Sequence, residues 1–145
     1  EHPVPGPDFD DDGQAGAEAA AVYFLELYSY VYATGDFEKW SATTATDCGF
    51  CSATVEHVSE IYSEDGYATK APPQIQEILS QMDNSQEGAY VVEMRFRDGE
   101  LRVFSSQGEV VRTAPGGDVA AWFLVQRVSD GWRLLGVESE AAEGS

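Results

Sequence analysis

The chain has 145 residues, 43% apolar and 12% aromatic, which suits one packed domain and argues against disorder over most of its length. Acidic side chains outnumber basic ones 26 to 8, for a net charge of −18. So negative a surface repels phosphate backbones and anionic lipid, which argues against nucleic-acid binding and electrostatic membrane docking, and no apolar run nears the ~20 residues of a membrane span.

The sequence opens at Glu1 and its methionines are Met82 and Met94, so it is expected to follow a segment removed upstream. Residues 1–15 hold Pro3, Pro5 and Pro7, then Asp8, Asp10, Asp11 and Asp12. Proline beside like charges, without hydrophobic periodicity, reads as an acidic, disordered tether. One domain is expected over 16–139 and a polar tail over 140–145. The charge is uneven: residues 1–65 carry −13, with Lys39 as their one base, and residues 66–145 carry −5.

From Gly16 to Thr34, Ala20, Phe24, Leu27, Tyr28 and Val31 recur at three- and four-residue steps, which predicts a helix with one apolar stripe. Gly35 stops it. Asp36 is placed to cap a short second helix over 37–42, and Asp47 a third over 48–63, with Cys51, Val55, Val58 and Tyr62 as its buried side. Beyond Gly66 the period falls to 2. Ala71-Pro72-Pro73 reads as a loop or edge entry, and Ile75 to Met82 as a strand or edge segment. Tyr90, Val92, Met94 and Phe96 alternate with Val91, Glu93, Arg95 and Arg97, the pattern of a half-exposed strand. Asp98-Gly99 predicts a hairpin returning over 101–105, extended over 109–113 past a bulge at Gly108. Strands follow over 119–128 and 132–138, joined by a second hairpin turn at Asp130-Gly131. Helices first and hairpin-linked strands after predict an α+β fold: three N-terminal helices packed on a curved antiparallel sheet of four to five strands.

Cys48-Gly49-Phe50-Cys51 holds both cysteines. The leading reading is a structural disulfide in an oxidising compartment. A redox dithiol at a helix N-terminus is a second reading. A metal site is a third; it needs about four ligands, and only His2 and His57 could join the two cysteines. No metal or cofactor is expected. His57 lies off the apolar stripe beside Glu56 and Glu60, where a surface imidazole is expected rather than a general base. No phosphate loop, nucleophile elbow or paired-histidine zinc motif is present, and no catalytic residue is assigned. A hollow between helices and curved sheet would be lined by Phe24, Tyr28, Tyr32, Trp40, Met94 and Trp122. The alternative is that these aromatics are core packing.

The segments Tyr32-Ala33-Thr34-Gly35-Asp36, Asp47-Cys48-Gly49-Phe50-Cys51 and Gly131-Trp132-Arg133-Leu134, in this order of helices and strands, resemble the nuclear transport factor 2-like (cystatin-like) superfamily, and within it a group of uncharacterised actinobacterial lipoproteins. The resemblance implies a cone-shaped fold over about residues 16–139. It also implies an exported protein, held at the cell surface by a lipid on a cysteine upstream of Glu1. Enzymes of that superfamily work inside the cone with an aspartate and tyrosine, a histidine–aspartate pair or an Asp-Arg-Asp triad, and none of these sets maps onto this sequence. The leading expectation is therefore an extracytoplasmic, non-enzymatic binding or accessory domain, for a small apolar ligand or a protein partner, with homodimerisation through the sheet as one such pairing. The alternatives are a cone-pocket isomerase or hydrolase, and a thiol–disulfide redox protein acting through Cys48 and Cys51.

Overall fold

The computed structural model describes residues 3, 5–129 and 131–141. A 3₁₀ turn (Pro7–Asp10) leads into α1 (Gln14–Thr34), α2 (Glu38–Thr43) and α3 (Gly49–Tyr62). Seven strands follow among the described residues: β1 (Tyr67–Lys70), β2 (Gln74–Met82), β3 (Ala89–Asp98), β4 (Leu101–Phe104), β5 (Val110–Ala114), β6 (Gly117–Val128) and β7 (Gly131–Ala141).

Alanine-rich sequence gives α1 its helical preference, and packing fixes it. Ala17, Ala20, Phe24, Leu27 and Val31 are fully buried, as the stripe requires, while Tyr28 is half-buried at the stripe's edge. Gly35 ends the helix in the left-handed region at φ +78°, its N–H donating to the Val31 carbonyl at 2.8 Å. The Tyr62 ring sits 2.9 Å from where a Cβ would stand, so glycine is required there by both backbone and packing. The cap of α3 differs from expectation: it is Cys48, not Asp47, whose Sγ accepts from the Cys51 N–H at 3.2 Å. Cys48 and Cys51 form a disulfide, which brings that sulfur over the first turn. Both cysteines are buried.

The strands form two antiparallel sheets, ordered β1-β4-β5 and β2-β3-β6-β7, rather than one sheet of four to five strands. The difference turns on Asp98-Gly99. This pair does not close a β3–β4 hairpin, because β3 pairs with β2 and β6 while β4 pairs with β1 and β5. It is a corner where the chain leaves one sheet for the other. Asp98 Oδ1 accepts from the Gly99 N–H at 3.0 Å and from Lys70 Nζ at 2.7 Å, pinning the corner to the end of β1. A Cβ on Gly99 would collide with the Ala71 backbone. The segment after Gly108 is likewise a separate strand, β5, reached by a turn in which the Ser105 N–H donates to the Glu109 carbonyl at 2.8 Å. The β6–β7 pairing is antiparallel as expected, although Asp130 of the anticipated turn lies outside the described residues.

Both ends of the expected domain move outward. The acidic N-terminal stretch does not remain a tether up to residue 15. Phe9 packs edge-on against Tyr23 at 5.6 Å, and its carbonyl accepts from Trp132 Nε1 at 2.9 Å and Arg127 Nη1 at 3.3 Å. Arg127 Nε also meets Asp12 at 3.0 Å. At the other end, β7 continues through residues 139–141, paired with 119–121 of β6, and residues 142–145 of the expected tail lie outside the described residues, as do Glu1, His2 and Val4.

The core lies between α1 and the inner face of the four-stranded sheet, where Val92, Met94, Phe96, Phe123, Val125 and Leu134 are buried. Trp122 is not among them. Met94 pairs with Ala121, so strand alternation sends the odd residues of β6 inward and Trp122, opposite Glu93, to the outer face.

Candidate functional site

Between the helices and the inner face of β3, β6 and β7 lies a cavity of about 150 Å³. Leu25 and Tyr28 reach it from α1, Trp40 from α2 and Phe50 from α3. The sheet supplies Phe96 and Asp98, then Val119, Ala121 and Phe123, then Val137 and Ser139. Its deep wall (Leu25, Trp40, Phe96, Ala121, Phe123) is buried, whereas Asp98 is half-buried and Ser139 exposed, so the polar groups gather at one end.

Aromatic stacking holds the helical side together. Tyr28 stacks on Phe50 with ring centroids 5.4 Å apart and planes 28° off parallel. It also meets Trp40 at 6.1 Å and Tyr32 at 5.1 Å. Trp40 Nε1 donates to the Cys51 carbonyl at 3.1 Å, so α2 is fixed to α3 beside the disulfide.

The ionisable groups at this end are Tyr28, Asp98 and Lys70. Burial raises the Tyr28 pKa far above the usual tyrosine range, and the neighbouring Tyr32 and Asp98 add to the effect. Tyr32 is also raised by burial, against smaller opposing effects of Tyr28 and Arg112. Its hydroxyl lies 3.5 Å from Nδ1 of His57, which is exposed on α3 as expected. Burial raises Tyr23 and Tyr62 too.

These tyrosines predict a pH dependence. Their folded pKa values lie above the unfolded value near ~10, so the stability gained by keeping them neutral is complete below about pH 10 and is lost as pH rises through the folded values. Melting temperature should hold level from neutral pH to about 9.5 and fall beyond it. Tyr28→Phe should flatten that fall, checked by thermal melts between pH 8 and 12 with tyrosinate absorbance followed in parallel. An unchanged slope in the variant would show that Tyr28 ionises without resistance.

Of the six residues expected to line a hollow, Tyr28 and Trp40 do so. Phe24, Tyr32 and Met94 are buried in the core and do not reach the cavity wall. Trp122 faces the other side of the sheet, where it borders a larger groove of about 530 Å³ with Val91, Leu124 and Gly136. That groove is rimmed by Asp47, Asp83 and Glu138. The sequence pattern does not mark Phe50, Asp98, Phe123 or Val137 as lining residues. Phe50 sits between the two cysteines and could have been found as the one apolar side chain of that segment. Among the described residues no cluster of His, Cys, Asp or Glu could hold a metal ion, and no helix is long and apolar enough to cross a membrane.

A family model described as a family of unknown function, DUF6318, matches residues 2–138. The chain belongs to this family. Structures similar to this DUF6318 domain share its fold at low identity. An uncharacterised protein with a cystatin-like fold from Caulobacter vibrioides is 12% identical, with a TM-score of 0.56 over 90% of this chain and 92% of the other. The intermembrane space region of the chloroplast protein ARC6 is 10% identical, with a TM-score of 0.63 over 87% and 95%. An NTF2-like protein with a cystatin-like fold from Novosphingobium aromaticivorans is 14% identical, with a TM-score of 0.52 over 94% of each chain. The fold is thus cystatin-like, or NTF2-like, as the sequence resemblance implied. No curated protein matches the chain.

Proposed function

We propose that this protein is an extracytoplasmic, non-enzymatic binding domain whose cavity takes up a small, mainly apolar molecule. The observation that carries the reading is the wall itself: aromatic and aliphatic side chains on every contributing element, with Asp98 and Ser139 at one end. An apolar void of about this size takes up benzene-sized molecules, and the deep wall here, Leu25, Trp40, Phe96, Ala121 and Phe123, is apolar and buried. The one carboxylate at the cavity is already held by Lys70 at 2.7 Å, which disfavours its use as a general base. Burial of both cysteines supports a structural bond over thiol exchange. That bond also supports an oxidising compartment.

Toluene tests the reading. At ten times its Kd a ligand adds about 1.4 kcal/mol, or roughly 3–6 °C in Tm for a domain of this size. We expect toluene to raise the Tm of the wild type in that manner, and Ala121→Leu, which fills the cavity from β6, to abolish the rise while staying folded. A wild type indifferent to toluene, or a variant with the same rise, overturns the proposal.

A further inference from the structure

The cavity's polar end is asymmetric. Asp98 Oδ1 is used twice, by Lys70 Nζ at 2.7 Å and by the Gly99 N–H at 3.0 Å. Oδ2 has no hydrogen-bond donor among the described residues. A carboxylate offers about four acceptor positions, so the unspent oxygen retains its capacity. It belongs to a half-buried side chain on the cavity wall, beside a stacked Tyr28–Phe50 pair.

We infer that the molecule held in this cavity is a small cyclic or aromatic alcohol whose neutral hydroxyl donates to Asp98 Oδ2. The inference rests on the binding reading above and adds the ligand's chemical class. Lys70 decides between a hydroxyl and an ammonium. Its side chain is only 3% exposed, and its Nζ is committed to Asp98 and, at 3.1 Å, to the Gly99 carbonyl. The negative charge of Asp98 is therefore already compensated. A second cation at the same carboxylate would sit close to a buried lysine and be repelled. A neutral O–H meets no such opposition and makes a charge-assisted hydrogen bond. An anion would face the carboxylate directly. The ring of the alcohol lies among the aromatic walls, and 150 Å³ limits it to about the size of a substituted benzene.

Titrations with 4-methylphenol, toluene and benzylamine test this, read by calorimetry on the full chain. In the wild type, 4-methylphenol should bind about tenfold more tightly than toluene, the gain of one hydrogen bond to a charged acceptor. Benzylamine should bind more weakly than 4-methylphenol. In Lys70→Met/Asp98→Leu, which removes both charges together and so leaves neither buried alone, the preference for the phenol should vanish while toluene still binds. A variant-free readout is the Asp98 carboxyl ¹³C resonance, which should move on adding 4-methylphenol and not on adding toluene. If toluene binds but the phenol gains nothing, if benzylamine binds best, or if the resonance stays still, the inference fails and the binding reading stands. If toluene does not bind, the binding reading itself fails and takes the inference with it.

Discussion

Replacing Phe123 with alanine is expected to remove about 3–5 kcal/mol of stability, whereas Trp122→Ala, one residue away, should change it by about 1 kcal/mol or less. Phe123 is buried on the inner face of β6 and touches the cavity, so its removal takes apolar contact from the core and enlarges a void that the surrounding sheet cannot close. Trp122 is the larger side chain, but it stands on the outer face, opposite Glu93 and Glu138. Urea melts of both variants with unchanged m-values would measure the pair. The result to watch is their order. A Trp122 variant that loses as much as the Phe123 variant would mean that the outer face is covered in solution.

The same strand shows why part of the architecture could be read and part could not. In β3 the two faces differ, Tyr90, Val92, Met94 and Phe96 against Val91, Glu93, Arg95 and Arg97, so the inward set is plain from the sequence. In β6 both sets contain large apolar residues: Val119, Ala121, Phe123 and Val125 on one side, Trp122 and Leu124 on the other. The size of the indole argues for the inner face, whereas Asp118 and Gln126, which share its parity, mark its side of the strand as the wetter one. Helix α1 was legible because its stripe runs for many turns. Strand β1 was not expected, since its four residues bury little besides Ala68, and pairing with β4, not local pattern, forms it.

The Asp98-Gly99 corner was missed for a different reason. Asp-Gly favours reversal in a hairpin, but a reversal does not specify which strand the returning chain will join. Here the corner is pinned by Lys70, 28 residues upstream in the chain's other sheet, through an ion pair no local rule detects. The N-terminal stretch failed similarly. Its composition reads as solvated, yet one aromatic, Phe9, finds Tyr23 and the polar edge of Trp132, and the aspartate at position 12 is met by Arg127 from the far end of the chain. Both errors concern contacts across long sequence separations. The first of them matters to the site, because it places a carboxylate at the mouth of the cavity.

Trp40 joins the site to the stability of the helical layer, and Trp40→Ala is expected to cost about 3–5 kcal/mol, a large share of the roughly 5–15 kcal/mol that holds a domain folded. Helix α2 has six residues, far too few to persist alone, and Trp40 is its one buried side chain. The indole is 1% exposed, contacts Tyr28 and Phe50 across the cavity wall, and donates to the Cys51 carbonyl. Alanine would remove the apolar area together with the indole hydrogen bond to that carbonyl. Trp40→Phe separates the two losses, since it keeps most of the ring and gives up only the N–H, for an expected cost of about 1–3 kcal/mol. Hydrogen exchange should then localise the damage: amides of α2 open first in the alanine variant, while the disulfide keeps the first turn of α3 protected. A loss below about 1 kcal/mol in Trp40→Ala would mean that α2 is held by other contacts, and that the aromatic wall of the cavity does not depend on this indole for its shape.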